Sequence, residues 1–110
     1  MKKKERVKAE SVPWLGVLPS PRGRDYCRLV AIKQEEEGFE VKDAMIYFFF
    51  SPSELEWETL ILQGVVTQIP SRNKERILLR VNLGCDVPLS ALTTLKETGK
   101  VEIIDLRKRS

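Results

Sequence analysis

ERILLRVNL, residues 75–83, alternates between two kinds of side chain with a period of two. One face is wholly apolar: Ile77, Leu79, Val81 and Leu83. The other face is mixed: Arg76, Leu78, Arg80 and Asn82. Successive side chains of a β-strand point to opposite faces, so this pattern predicts a strand with one face in the core and one in solvent. The segment therefore indicates a β-rich protein with one solvent-facing sheet surface.

The flanking segments also favour strands. YCRLVAIKQ (26–34) and KVEIIDL (100–106) are rich in β-branched and aromatic residues. SVPWLGVLP (11–19) is interrupted by two prolines and fits an edge strand, where proline is tolerated. The turns between these segments contain Pro, Gly, Asn or Asp, and they are short enough for antiparallel hairpins.

FEVKDAMIYFFF (39–50) begins with alternation and ends apolar on both faces. Such a strand is either central and covered on both sides, or part of an interface. We expect the interface alternative to produce a homodimer.

SPSELEWETLILQG (51–64) fits two structures. As a helix it has Ser51 as N-cap, Pro52 in the first turn, Glu54 completing a capping box and Gly64 ending it. As a strand it alternates through Leu55, Trp57, Thr59 and Ile61. The strand is favoured, running from about residue 56 to 69 with a bulge at Gly64.

One short helix is predicted near residues 88–98. Pro88 lies at its first turn and Gly99 caps its end. Its apolar stripe consists of Leu89, Leu92 and Leu95.

The predicted fold is mainly β: a small antiparallel barrel-like or curled-sheet domain of about five or six strands with one short helix. Residues 11–106 form this single domain, residues 1–10 a mobile basic tail, and residues 107–110 a basic C-terminal tail. OB-like and other small barrels are not separated by the pattern, and likeness of fold alone does not assign a function.

Composition argues against several function classes. The chain has no histidine, so a Ser-His-Asp or Cys-His centre is not available. Two cysteines, Cys27 and Cys85, are too few ligands for zinc, and both are expected to be buried thiols. No Walker or Rossmann motif is present. We therefore expect no enzyme activity, no catalytic residues, no metal and no cofactor.

No apolar run reaches about 18 residues, and the basic N-terminus is not followed by an apolar stretch. These features predict a cytoplasmic protein without a membrane partner.

Charge is unevenly distributed along the chain. Residues 1–24 carry seven Lys or Arg against two Asp or Glu, residues 25–69 three against nine, and residues 70–110 nine against five. Two basic ends around an acidic middle favour a polyanionic partner if folding brings the ends together.

Seven basic residues in or beside two turns are candidates for nucleic-acid binding: Arg22, Arg24, Arg28, Arg72, Lys74, Arg76 and Arg80. Arginine forks match phosphate oxygens, and both turns are expected to share one basic surface. Solvated turns are the alternative interpretation. Trp14, Trp57 and Tyr26 either stack on bases or belong to the core.

The sequence thus predicts a small non-enzymatic nucleic-acid-binding module that contacts mainly phosphates, with weak sequence preference. Binding to single strands or to duplexes is left open. The alternative function is a protein–protein assembly module that self-associates through the apolar strand.

Overall fold

The computed structural model describes residues 12–107. The predicted tail at residues 1–10 lies outside this range, as does the C-terminal tail except for Arg107. The described part is mainly β, as predicted, with eight strands and two helices rather than five or six strands and one helix. In chain order they are β1 Trp14–Pro19, β2 Tyr26–Glu35, β3 Gly38–Lys42, β4 Tyr47–Phe50, α1 Glu56–Leu62, β5 Val66–Ile69, β6 Ile77–Val81, β7 Asp86–Pro88, α2 Ser90–Thr98 and β8 Glu102–Asp105.

The strands form two open sheets. The five-stranded sheet has the order β3-β2-β1-β8, and β7 pairs with β2. All its pairings are antiparallel except that of β1 with β8, which is parallel. The expected edge strand β1 is therefore internal; Pro13 precedes it and Pro19 is its last residue, so neither interrupts its pairing. Because neither sheet closes, the curled open sheet is found rather than a closed barrel.

The three-stranded sheet has the order β4-β6-β5 and is antiparallel throughout. Its central strand β6 lies within the alternating segment 75–83, which was predicted to form a strand. Phe48 pairs with Leu79 on one side of β6, and Val66 with Val81 on the other. The chain then passes to the five-stranded sheet, where the Gly84 N–H donates to the Leu29 carbonyl at 2.9 Å.

The core lies between the sheets and the helices. Its buried side chains include Leu15, Val17, Leu29, Phe48, Phe50, Leu60, Val65, Leu79, Val87 and Leu95. No polar or charged residue among the described ones is buried. Cys27 is buried, and burial raises the pKa of its thiol. Cys85 is exposed, so the expectation that both thiols are buried is wrong for that residue.

Residues 39–50 do not form one strand. β3 and β4 belong to different sheets, and the chain crosses between them at residues 43–46. β4 is an edge strand, so the buried-central-strand interpretation is wrong. Phe48 and Phe50 point into the core, whereas Tyr47 and Phe49 are each 45% exposed.

Residues 56–62 are helical, and the favoured strand interpretation of this segment is wrong. Trp57, Leu60 and Ile61 pack on the core from one side of α1, which suits a period of 3.6 and not of two. The helix begins at Glu56, later than the capping-box alternative placed it, although the Ser51 N–H does donate to Glu54 Oε1 at 2.9 Å. Gly64 follows the helix with φ 77°.

The second helix, α2, confirms the one predicted near residues 88–98. Ala91 and Leu95 are buried, and Leu92 packs beside them. The helix ends at Gly99, which adopts the left-handed conformation with φ 70°. The two helices contact each other.

Candidate nucleic-acid interface

The three-stranded sheet has one face in the core and one in solvent. We call its solvent-facing side the open face: Tyr47, Phe49, Thr67, Ile69, Leu78 and Arg80. Strand periodicity places these residues opposite the buried set of Phe48, Phe50, Val66, Leu79 and Val81. The register gives two cross-strand rows, Tyr47–Arg80–Thr67 and Phe49–Leu78–Ile69. One row is centred on a cation and the other is apolar.

The β4 edge exposes aromatic and apolar groups. Met45, Tyr47 and Phe49 are three of the six large apolar side chains that the described residues expose. The Tyr47 hydroxyl donates to Met45 Sδ at 3.3 Å, which constrains the tyrosine side chain. A concentration of such side chains at one edge is typical of a binding surface.

Two arginines lie near the rings of Tyr47 and Phe49: Arg80 in β6, and Arg76 directly before it. The Arg76 guanidinium carbon lies 4.1 Å from the centroid of the Phe49 ring, a cation–π contact. Arg80 lies between Tyr47 and Thr67 in the register of the sheet. Arg80 lies on the same face of β6 as Leu78, as the alternation in the sequence predicts, and Arg76 directly precedes the strand.

The turn between β5 and β6, residues 70–76, carries Arg72 and Lys74, and we call it the basic turn. Its conformation is held by its own polar side chains. The Asn73 N–H donates to Ser71 Oγ at 3.2 Å, the Glu75 N–H donates to Asn73 Oδ1 at 2.9 Å, and the Arg76 N–H donates to the Asn73 carbonyl at 3.2 Å. The basic residues therefore project from an ordered turn at the Arg76 end of the open face.

The cations of this region have no acidic partner in the described part of the chain. Within residues 12–107, none of Arg72, Lys74, Arg76 and Arg80 forms an ion pair. Glu75 is the one acidic residue of the basic turn. The acidic run at residues 35–37 lies at the β2–β3 turn of the other sheet. Four positive charges are thus available to an external anion.

The other predicted basic residues lie in the β1–β2 turn and at the start of β2, in a different setting. The Arg28 Nε donates to Asp86 Oδ1 at 2.7 Å, and the Ser20 hydroxyl donates to the same oxygen at 2.7 Å. The hydrogen bond from Arg28 is the largest cause of a lowered pKa of Asp86, and the hydrogen bond from Ser20 is the next largest. The Asp86 carboxylate in turn raises the pKa of Arg28. Arg28 is therefore already neutralised by a residue 58 positions away.

Arg22 and Arg24 flank Gly23 in the same turn. The Arg22 guanidinium carbon lies 4.0 Å from the centroid of the Tyr26 ring, and its Nη2 donates to the tyrosine hydroxyl at 3.2 Å. Arg24 and Arg107 line a shallow depression with Tyr26. Arg107 is itself paired with Asp105 at 2.8 Å.

The two predicted sets of basic residues lie on different sheets. No hydrogen bond, ion pair or ring contact among residues 12–107 joins the β1–β2 turn to the basic turn. That they form one continuous surface remains a prediction.

The aromatic residues singled out from the sequence are not those of the open face. Trp57 packs on the core and its Nε1 donates to the Pro52 carbonyl at 3.4 Å. Trp14 contacts Phe39 on the five-stranded sheet, with ring centroids 6.0 Å apart. Tyr47 and Phe49, the exposed aromatic residues of this face, were not among the candidate binding residues named from the sequence. Their alternation with Phe48 and Phe50 is the signal that could have identified them.

The described residues contain neither a candidate metal site nor a candidate membrane-spanning helix. Within residues 12–107, no group of three or more Cys, Asp or Glu side chains could hold a metal ion. No helix in this range is long and apolar enough to cross a membrane.

Comparisons with protein-family models, with curated proteins and with solved structures found no match to this chain.

Proposed function

We propose that this protein is a small non-enzymatic nucleic-acid-binding module that uses the open face and the basic turn. The observation that carries the proposal is the set of four cations at this surface, which have no ion-pair partner within residues 12–107. Phosphate oxygens are among the acceptors that match the fork geometry of arginine.

Contacts to phosphate dominate binding in this proposal, and sequence preference is weak. Thr67 of the open face and the neighbouring Asn82, two side chains able to read base edges, are already engaged with the protein. Thr67 Oγ1 donates to Asn82 Oδ1 at 2.9 Å, and Asn82 Nδ2 donates to the Gly64 carbonyl at 3.0 Å. Both helices pack against the core and each other, so neither projects as a recognition helix.

A titration at several salt concentrations tests the proposal. Four phosphate contacts predict that the logarithm of the binding constant falls against log salt with a slope of about −3. The triple variant R72A/K74A/R76A should flatten that slope by about two units, because each lost contact removes about 0.7 to 0.9.

A matched control removes three positive charges elsewhere. Lys33, Lys42 and Lys96 lie on β2, β3 and α2, so K33A/K42A/K96A reduces net charge equally without changing the open face. Similar slopes for the two triple variants would mean that net charge alone causes binding. No binding of any oligonucleotide at low salt would remove the proposal.

The structure also favours a second candidate function, assembly as a homodimer. Within the described residues, β4 pairs with β6 on one side only, and its outer edge exposes unpaired backbone groups beside Met45, Tyr47 and Phe49. A second copy could extend the sheet there. Sedimentation velocity over a wide concentration range tests this; the double variant Y47K/F49K should dissociate the dimer, and a monomer at all concentrations contradicts it.

A further inference from the structure

We propose, on the basis of the proposed function, that the open face is selective for single-stranded nucleic acid and stacks two neighbouring bases on Tyr47 and Phe49. The two rings are at positions i and i+2 of β4, on one face of the strand. Their backbone positions are about 6.6 Å apart, twice the rise per residue.

This separation fits a single strand better than a duplex. In a duplex each strand advances about 3.4 Å per nucleotide, and its base faces are covered by their neighbours. A single strand can extend until adjacent bases are about twice as far apart, and its bases can turn outward onto aromatic rings. A duplex therefore reaches only the cations of this surface, whereas a single strand reaches both the cations and the rings.

The rings are held in place before any ligand binds. Arg76 packs against Phe49, and the Tyr47 hydroxyl bonds to Met45. Both side chains nevertheless remain 45% exposed, so aromatic surface is available. Such preorganisation reduces the entropy lost when a base stacks.

The surroundings of the rings suit the remaining parts of a nucleotide. Leu78 and Ile69 continue the Phe49 row across the sheet and provide apolar contact for a base. Arg80 lies beside Tyr47, and Arg76 lies over Phe49, so each ring has a cation within reach of the adjoining phosphate. β4 spans four residues, about 13 Å, which is long enough for about two extended nucleotides.

The experiment uses the full chain and fluorescence anisotropy with three probes of equal length. They are an unstructured single-stranded DNA, a single-stranded RNA of the same sequence, and the matching DNA duplex. The unmodified protein should bind at least one single strand at least tenfold more tightly than the duplex; the DNA and RNA arms show which sugar is accepted.

The variant Y47A/F49A should weaken single-strand binding at least about thirtyfold, because base–aromatic stacking contributes about 1–3 kcal/mol per base. Duplex binding and the salt slope should stay nearly constant. The aliphatic variant Y47L/F49L keeps apolar bulk but removes the π-faces, so it should lose most of the same affinity even if the alanine variant folds poorly.

The matched control is L55A/L62A, which removes two exposed apolar side chains in and next to α1. It should bind like the unmodified protein. Equal affinity for single strands and duplex, or single-strand binding unchanged in Y47L/F49L, overturns the inference. If binding in those cases still depends on Arg72, Lys74 and Arg76, the proposed function stands. If no probe binds, both fail.

Discussion

The two turns richest in arginine illustrate how differently the same residue type can be used. Arg28, at the start of β2, is bonded to Asp86, and Arg22, in the β1–β2 turn, lies against Tyr26. At the basic turn and the open face, four cations have no acidic partner within residues 12–107. The comparison teaches that a cluster of arginines in sequence offers its charges to an external anion only where the fold leaves them without internal acceptors.

The largest expected effect is a loss of stability, and it tests whether the open face is exposed to solvent. Phe48 and Phe49 are neighbours on β4, but Phe48 is 5% exposed and Phe49 is 45% exposed. Phe48→Ala should lower the free energy of unfolding by about 3–5 kcal/mol, as expected for a buried phenylalanine. Phe49→Ala should change it by less than about 1 kcal/mol, because the ring is half-exposed. Urea denaturation measures both; equal losses would show that the open face is buried.

A smaller effect is the change in the salt dependence of binding, which should differ between variants of the two basic regions. The variant R22A/R24A/R28A should flatten the salt slope by less than one unit, because these residues lie outside the open face and the basic turn and Arg28 is already paired with Asp86. R72A/K74A/R76A should flatten it by about two units. The same oligonucleotide and buffers serve for both variants, with circular dichroism as the check on folding. Equal salt slopes for the two variants would show that both basic regions contact the oligonucleotide as one binding surface.

The smallest effect concerns the ion pair that distinguishes the β1–β2 turn. The hydrogen bond from Arg28 lowers the pKa of Asp86 below its unfolded value, so the folded state favours the carboxylate. The stability it contributes is present at neutral pH and is lost as the pH falls below the usual carboxyl range through the lowered pKa.

The variant Asp86→Asn should therefore be less stable than the unmodified protein at pH 7, and the difference should shrink in acid. Thermal unfolding across the pH range measures this. Asp86→Asn should leave the salt slope of binding nearly unchanged, because Arg28 lies outside the open face and the basic turn. A stability difference that stays constant with pH would mean that the pair contributes packing and not charge.

Much of the fold follows from local patterns in the sequence. β2, β6 and α2 were predicted near their observed positions, because period-two alternation and a glycine-terminated helix are readable within one segment. α1 was assigned wrongly, because the segment around Trp57 fits both periodicities. Leu60 and Ile61 distinguish the helix from the strand, because they pack on the same side as Trp57.

Other features depend on contacts between distant residues. The division of residues 39–50 between two sheets and the parallel pairing of β1 with β8 are set by the whole topology. Arg76 and Arg80 were predicted to share a strand face, which needs only the alternation. The exposure of Tyr47 and Phe49 follows from the position of β4 as an edge strand. No local sequence pattern indicates that position. The neutralisation of Arg28 likewise needs a partner 58 residues away.

The most direct test of the central claim is a chemical-shift titration of the isotopically labelled protein with a short single-stranded oligonucleotide at low salt. We expect the perturbed backbone amides to cluster on β4, the basic turn and β6, with little change at residues 20–28. Perturbations centred on residues 20–28, or none at saturating oligonucleotide, would contradict the assignment of the open face as the binding surface.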